Sequence, residues 1–159
     1  MIKTILVATD GSEHAKKALA LASDLGAKYN ARLVLVHVLL TNARAETLRT
    51  LATRRGLSKD QRDLLENYEI DFHREVAAAG AAVGFVTVPP PRELVKAIGR
   101  QIMDRAEKAA TKAGVKKVVM HTVEGDPAEA ILELAASSKA SMIIMGSREI
   151  GRASCRERV

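Results

Sequence analysis

Three short turns hold the residues of this sequence whose types and spacing could do chemistry: Asp10–Gly11–Ser12, Gly125–Asp126–Pro127 and Gly146–Ser147–Arg148. Small residues let a backbone approach a ligand closely. Exposed N–H groups at the start of a helix favour phosphate. A carboxylate such as Asp10 repels phosphate directly. It becomes useful where it holds a Mg²⁺ ion that bridges phosphates, or where it accepts from a sugar hydroxyl. Each turn also has a plainer reading. Asp10 can cap the helix that follows it, Asp126 with Pro127 and Glu129 has the composition of a helix start, and Gly146 that of a simple turn.

Other chemistries lack their residues. The four histidines, His14, His37, His73 and His121, show no metal-ligand spacing. The one cysteine, Cys155, makes neither an internal disulfide nor a zinc set. No G-x-S-x-G elbow or Walker A loop occurs. If Asp10 were a phosphatase nucleophile of the dehalogenase type, a second Asp would be wanted where Ser12 stands. A receiver domain would want its phosphorylated Asp after the third strand, where Glu124 precedes Gly125. No general base presents itself, and the chain is not expected to be an enzyme.

The turns need elements to hold them. Ile2–Thr9 (IKTILVAT) and Ala31–Leu40 (ARLVLVHVLL) are short, nearly continuous apolar runs, the pattern of strands buried on both faces of a parallel sheet. Between them Ala15, Ala18, Leu19, Ala22 and Leu25 recur at helical spacing, and Ser12 can cap that helix. Arg92–Gly114 returns to helix, with a stripe of Leu94, Ile98, Ile102, Ala106, Ala109 and Ala113 and with Gly114 as its terminator. Val115–Val123 reads as a third strand, the segment from Asp126 to about Ser138 as a capped helix, and Ala140–Met145 as a fourth strand. The alternation predicts an α/β fold with an open, doubly wound parallel sheet. In such sheets ligands bind beyond the carboxyl ends of the strands, where strand order reverses. Asp10 and Gly146 are therefore more informative together, provided strands 1 and 4 are neighbours, as in a flavodoxin-like order.

Residues 41–91 depart from this rhythm. They are charged and helical in composition, with candidate helices over Ala43–Arg55 and Ser58–Ala79, then a Gly/Ala/Val stretch containing Gly80 and Gly84, then Pro89–Pro90–Pro91, which ends whatever precedes it. With so few large apolar groups this stretch is read as a helical insertion within one domain over 1–150.

The chain has 159 residues, 47% hydrophobic and 28% charged, enough for one aliphatic core; aromatics make up only 3%. The formal net charge of +6 raises nucleic acid as a partner, but the basic residues are interleaved with acidic ones and no aromatic–basic strand offers stacking, so no nucleic-acid binding is expected. No apolar run reads as a signal peptide or a membrane span, and a reducing cytoplasm is the expected location.

Four ordered segments, ILVATDGSEHAKKALALA, LVLVHVL, VEGDPAEAILELA and ASMIIMGSR, resemble the universal stress protein family. The resemblance implies a five-stranded parallel sheet in the order 3-2-1-4-5 of the adenine nucleotide alpha hydrolase-like type, usually in a homodimer with protein partners in stress response. It also implies, for one branch of the family, a site for ATP. On that pattern Asp10 lies near the phosphates and Mg²⁺, and Val38, beside His37, offers its backbone to adenine. Met145, Gly146 and Ser147 meet ribose and phosphate, with Ala8 and Arg148 flanking.

The sequence departs from the family in one place. The family's phosphate motif is G-x2-G-x9-G followed by Ser or Thr; Gly146 supplies its first glycine, but Glu149 occupies the second, adding bulk and negative charge where a backbone must meet phosphate. The last helix and fifth strand are not recognisable. Strand 4 is then an expected sheet edge, and the family's usual dimer is expected to be impaired. Gly151–Val159 (GRASCRERV) has no apolar period and reads as foreign to the fold, a translated artefact in preference to a variant terminus. A contrasting expectation follows for function: an interaction protein that binds no nucleotide and works through residues 41–91.

Overall fold

Short β-branched runs and alanine-rich helical periods alternate along the chain, and the computed structural model describes residues 2–39, 59–79 and 90–147. The helix expected over Ala43–Arg55, the Gly80–Gly84 pair, Arg148, Glu149 and the 151–159 tail lie outside the described residues. The order is β1 (Thr4–Ala8), α1 (Glu13–Tyr29), β2 (Arg32–Val38), α2 (Lys59–Ala79), α3 (Arg92–Lys112), β3 (Val118–Val123), α4 (Pro127–Ser137) and β4 (Met142–Met145).

The strands form one parallel sheet in the order β3-β2-β1-β4, as the alternation and the family pattern predict. β1 and β2 are central and nearly solid with buried apolar residues; the flanking strands β3 and β4 are half exposed. Side chains alternate between the two faces. Ile5, Val7, Leu33 and Leu35 pack with Leu19 and Ala22 of α1 and with Met103, Ala106 and Ala110 of α3. Leu6, Val34 and Val36 point the other way, against Ile131, Leu134 and Ala135 of α4. The first face is thus covered by two helices and the second, among the described residues, by one.

Helix α2, which lies within 41–91, packs on α3: Leu65 and Tyr68 meet Leu94, Val95, Ile98 and Ile102, with Leu39 just beyond β2 closing the cluster. This shared contact corrects the stripe expected along α3. Leu94, Ile98, Ile102 and Ala106 are buried as expected, but Ala109 and Ala113 are exposed, while Val95, Gly99, Met103 and Ala110 are buried. The first half of α3 has α2 on its flank as well as the sheet beneath; in the second half the described buried contacts are those of Met103, Ala106 and Ala110 with the sheet and α1.

Helix ends follow local chemistry. At the end of α3, Gly114 N–H donates to the Thr111 carbonyl at 3.0 Å and Val115 N–H to the Ala110 carbonyl at 3.2 Å, with Gly114 at φ +94°. This paired closure satisfies carbonyls that the helix leaves open. Asn30 (φ 49°) ends α1 and Lys139 (φ 52°) follows α4 in the same left-handed conformation. Asp126 caps α4, its Oδ1 accepting from Ala128 N at 2.9 Å and Glu129 N at 3.1 Å. The helix start expected from Asp126, Pro127 and Glu129 is therefore capped by Asp126.

Candidate functional site

The strand order places the reversal point between β1 and β4: β1 leads into α1 on one face of the sheet, and α4 delivers the chain to β4 from the other. At this point the carboxyl end of β1 sits between those of β2 and β4. Ala8 is in register with Val36 on one side and with Met145 on the other. Val38 lies two residues beyond Val36, and so on the same face as Ala8 and Met145. Three residues that are far apart in sequence therefore share one face at one end of the sheet, the face that carries α4.

The β1–α1 turn is built from its own side chains. Thr9 Oγ1 accepts from Gly11 N at 3.1 Å, and Asp10 Oδ1 accepts from Ser12 N at 2.8 Å. Ser12 Oγ then accepts from Ala15 N at 3.2 Å and caps α1, as expected from sequence. Gly11 takes φ +72°, a left-handed conformation that costs most side chains energy. The result is a tight turn that holds the Asp10 carboxylate half-buried at the mouth of the site. Asp10 thus stabilises the turn through one oxygen, and the helix cap is Ser12.

Gly146 is glycine for a packing reason. A Cβ there would lie 2.6 Å from the His14 carbonyl carbon and 2.8 Å from the Ala15 nitrogen, inside contact distance of rigid backbone. The end of β4 therefore presses directly on the first turn of α1, bringing Gly146 and Ser147 beside the Asp10 turn. Met145, half exposed, and Ser147, exposed, border the opening.

His37 belongs to the opposite face. Its ring is 3% exposed and shares a 2.8 Å hydrogen bond with the Thr9 carbonyl through Nδ1. Since a carbonyl only accepts, Nδ1 carries the hydrogen. His121 stands on β3 and His14 on the first turn of α1, apart from this bond. Sequence reasoning passed over Thr9 and Gly99. The Thr-Asp-Gly-Ser string could have signalled the role of Thr9, because Ser, Thr and Asp hydroxyls and carboxylates commonly bond backbone two residues on. Nothing local signals Gly99, whose neighbours His37 and Leu39 come from another element.

Among the described residues no group of three His, Cys, Asp or Glu side chains could hold a metal by itself. No described helix is long and apolar enough to cross a membrane.

The sequence model described as "Universal stress protein family" matches residues 1–156. A Thermus aquaticus protein, the universal stress protein in the 3′ region of QAH/OAS sulfhydrylase, is 30% identical over 155 residues, covering 95% of this chain and 81% of its own length. A solved member of the family from Burkholderia pseudomallei aligns with a TM-score of 0.53 at 28% identity, covering 92% of this chain and 82% of that one. A universal stress protein family protein from Arabidopsis thaliana, solved with AMP bound, shares the fold at a TM-score of 0.54 and 16% identity, covering 96% of this chain and 82% of that one.

Proposed function

The chain belongs to the universal stress protein family, and from that premise we propose that it is an adenine-nucleotide binding module of stress response, with ATP as its ligand. The observation that carries the reading is the meeting of Ala8, Val38 and Met145 on one sheet face at the β1/β4 reversal point, with the Asp10 turn and Gly146 beside it. Reversal points of this kind are where parallel α/β sheets take nucleotides. The AMP held by the Arabidopsis relative supports an adenine nucleotide as the ligand class.

The roles follow from chemistry. The backbone around Val38 meets the adenine edge, with His37 beside it. Met145, Gly146 and Ser147 meet ribose and phosphate, with Ala8 on the same sheet face; the family pattern adds Arg148, which lies outside the described residues. Asp10 is a carboxylate that joins no protein-only cation cage among the described residues. Such a donor fits Mg²⁺ that arrives on the nucleotide, since Mg²⁺ keeps several waters and takes one or two carboxylates together with phosphate oxygens. Mg²⁺ so bound would neutralise phosphate charge, while Asp10 fixes its position. The reading is one of binding, in the cytoplasm and with protein partners, and assigns no catalytic step.

Isothermal titration with Mg-ATP tests it. The expected result is a Kd below about 100 μM, a binding free energy stronger than about 5.5 kcal/mol, lost in Asp10→Ala. No heat at millimolar nucleotide would overturn it and favour the second reading, an interaction protein acting through 41–91. Glu149, standing where the family's phosphate motif has its second glycine, is the observation that favours that second reading.

A further inference from the structure

Helix α3 bears a glycine in its middle, Gly99, and an interior helical glycine costs about 1 kcal/mol relative to alanine. Its surroundings explain why a larger residue does not stand there. A Cβ at Gly99 would lie 3.0 Å from His37 Cδ2, 3.4 Å from His37 Nε2 and 2.9 Å from Leu39 Cδ2. Leu39 can rotate its methyl group away. The His37 ring is less free, because Nδ1 is bonded to the Thr9 carbonyl at 2.8 Å. Thr9 in turn holds Gly11 N through its hydroxyl, and donates its own N–H to the Val36 carbonyl at 2.9 Å. A continuous line of contacts therefore runs from α3 through the His37 ring to the turn that carries Asp10.

We propose that His37 is a positioning residue for the Asp10 turn: its Nδ1–H fixes the Thr9 carbonyl, and the bare backbone of Gly99 lets α3 hold the ring in place. His37 thus acts on the site from the far side of the sheet, through Thr9, while Ala8, Val38 and Met145 line the near side. The consequence is mechanical coupling. The same α3 turn packs through Val95, Ile98 and Ile102 against Leu65 and Tyr68 of α2, so a shift of α2 on α3 reaches the Asp10 turn through Gly99 and His37. The effect of this coupling on ligand rests on the nucleotide reading above; the fixing of the turn does not.

The test is amide hydrogen exchange on the full chain without nucleotide, comparing the wild type with His37→Leu, His37→Asn and Gly99→Ala, followed by titration of each with AMP. Asparagine can place an amide N–H near the position of Nδ1, whereas leucine offers no donor. Exchange at residues 9–12 is expected to quicken about tenfold in His37→Leu and Gly99→Ala, the factor that corresponds to one neutral hydrogen bond. Exchange at Ile5–Val7 should stay unchanged, and His37→Asn should restore the wild-type rate at 9–12. AMP affinity should fall by a similar factor in the first two variants and recover in the third. Unchanged exchange at 9–12 in His37→Leu, acceleration spread evenly through β1, or His37→Asn behaving like leucine would each overturn the proposal. Faster exchange at 9–12 with unaltered AMP affinity would overturn the coupling to the site. If the wild type fails to bind AMP, the nucleotide reading falls, while the exchange comparison still decides the role of His37.

Discussion

At Gly146 one hydrogen atom in place of a methyl group decides how β4 meets α1. The His14 carbonyl carbon and the Ala15 nitrogen lie where a Cβ would be, and both belong to a helical turn that is itself capped by Ser12. A side chain at 146 must push the end of β4 away from the Asp10 turn. We expect Gly146→Ala to destabilise the protein by about 1–3 kcal/mol, as overpacking does in well-filled interiors. Urea unfolding followed by circular dichroism checks this. A midpoint equal to the wild type would show that the end of β4 is not held as described. The same residue matches the first glycine of the phosphate motif that the family resemblance implies, so its packing role and its proposed ligand role fall on one residue. This explains why its side chain is absent without any appeal to ligand.

Among the described residues, Leu65 and Tyr68 attach α2 to α3, and Tyr68 is the larger of the two. The phenol is buried against α3, and burial pushes its pKa above the ordinary value of 10.0 because the phenolate is poorly solvated there. The sign follows by linkage. In the unfolded chain the phenol ionises first, so the folded state holds its proton to higher pH. The α2–α3 contact keeps its full contribution below about pH 10 and loses it as pH rises through the folded pKa. The sequence contains two tyrosines, so Tyr29→Phe leaves Tyr68 as the sole titrating phenol. Its near-ultraviolet phenolate absorbance should rise at higher pH in the folded protein than in urea. Coincident curves would mean that α3 does not cover the ring. The helix ends were easier to foresee: Ser12, Asp126 and Gly114 are local signals, and each stands where its chemistry places it.

Over the whole molecule the two faces of the sheet are unequal. Leu35 is fully buried beneath α1 and α3, whereas Leu132 on α4 is 62% exposed, and Ile143 and Met145 are also exposed on the α4 side of β4. Burial differs between the faces, so the cost of truncation should differ too. Leu35→Ala should cost about 2–5 kcal/mol, through lost transfer energy and a cavity. Leu132→Ala should change stability by no more than about 0.5 kcal/mol. Denaturant midpoints at constant slope measure both. A large loss from Leu132→Ala would mean that the α4 face is covered by something beyond the described residues.

The sequence by itself determined what depends on near neighbours and on period. Apolar runs too short for anything but strands, alanine-rich helical spacing, the caps at Ser12 and Asp126, the terminator at Gly114 and the strand order followed from such signals or from the ordered family segments. Asp10 and Gly146 could be singled out in advance because a parallel sheet collects its strand ends on one edge, whereas Val38 and Met145 came only from the family resemblance. Only the tertiary structure decided what each side chain there does. It assigned the cap to Ser12 and the turn to Asp10, made Gly146 a close contact with α1, and turned His37 to the far face against Gly99. It also moved the buried line of α3 from Ala109 to Ala110, which packs in the core shared with the sheet and α1. The physical reason is common to all of these: strand and helix periods fix which residues can meet, but the contacts between elements distant in sequence fix which of them do.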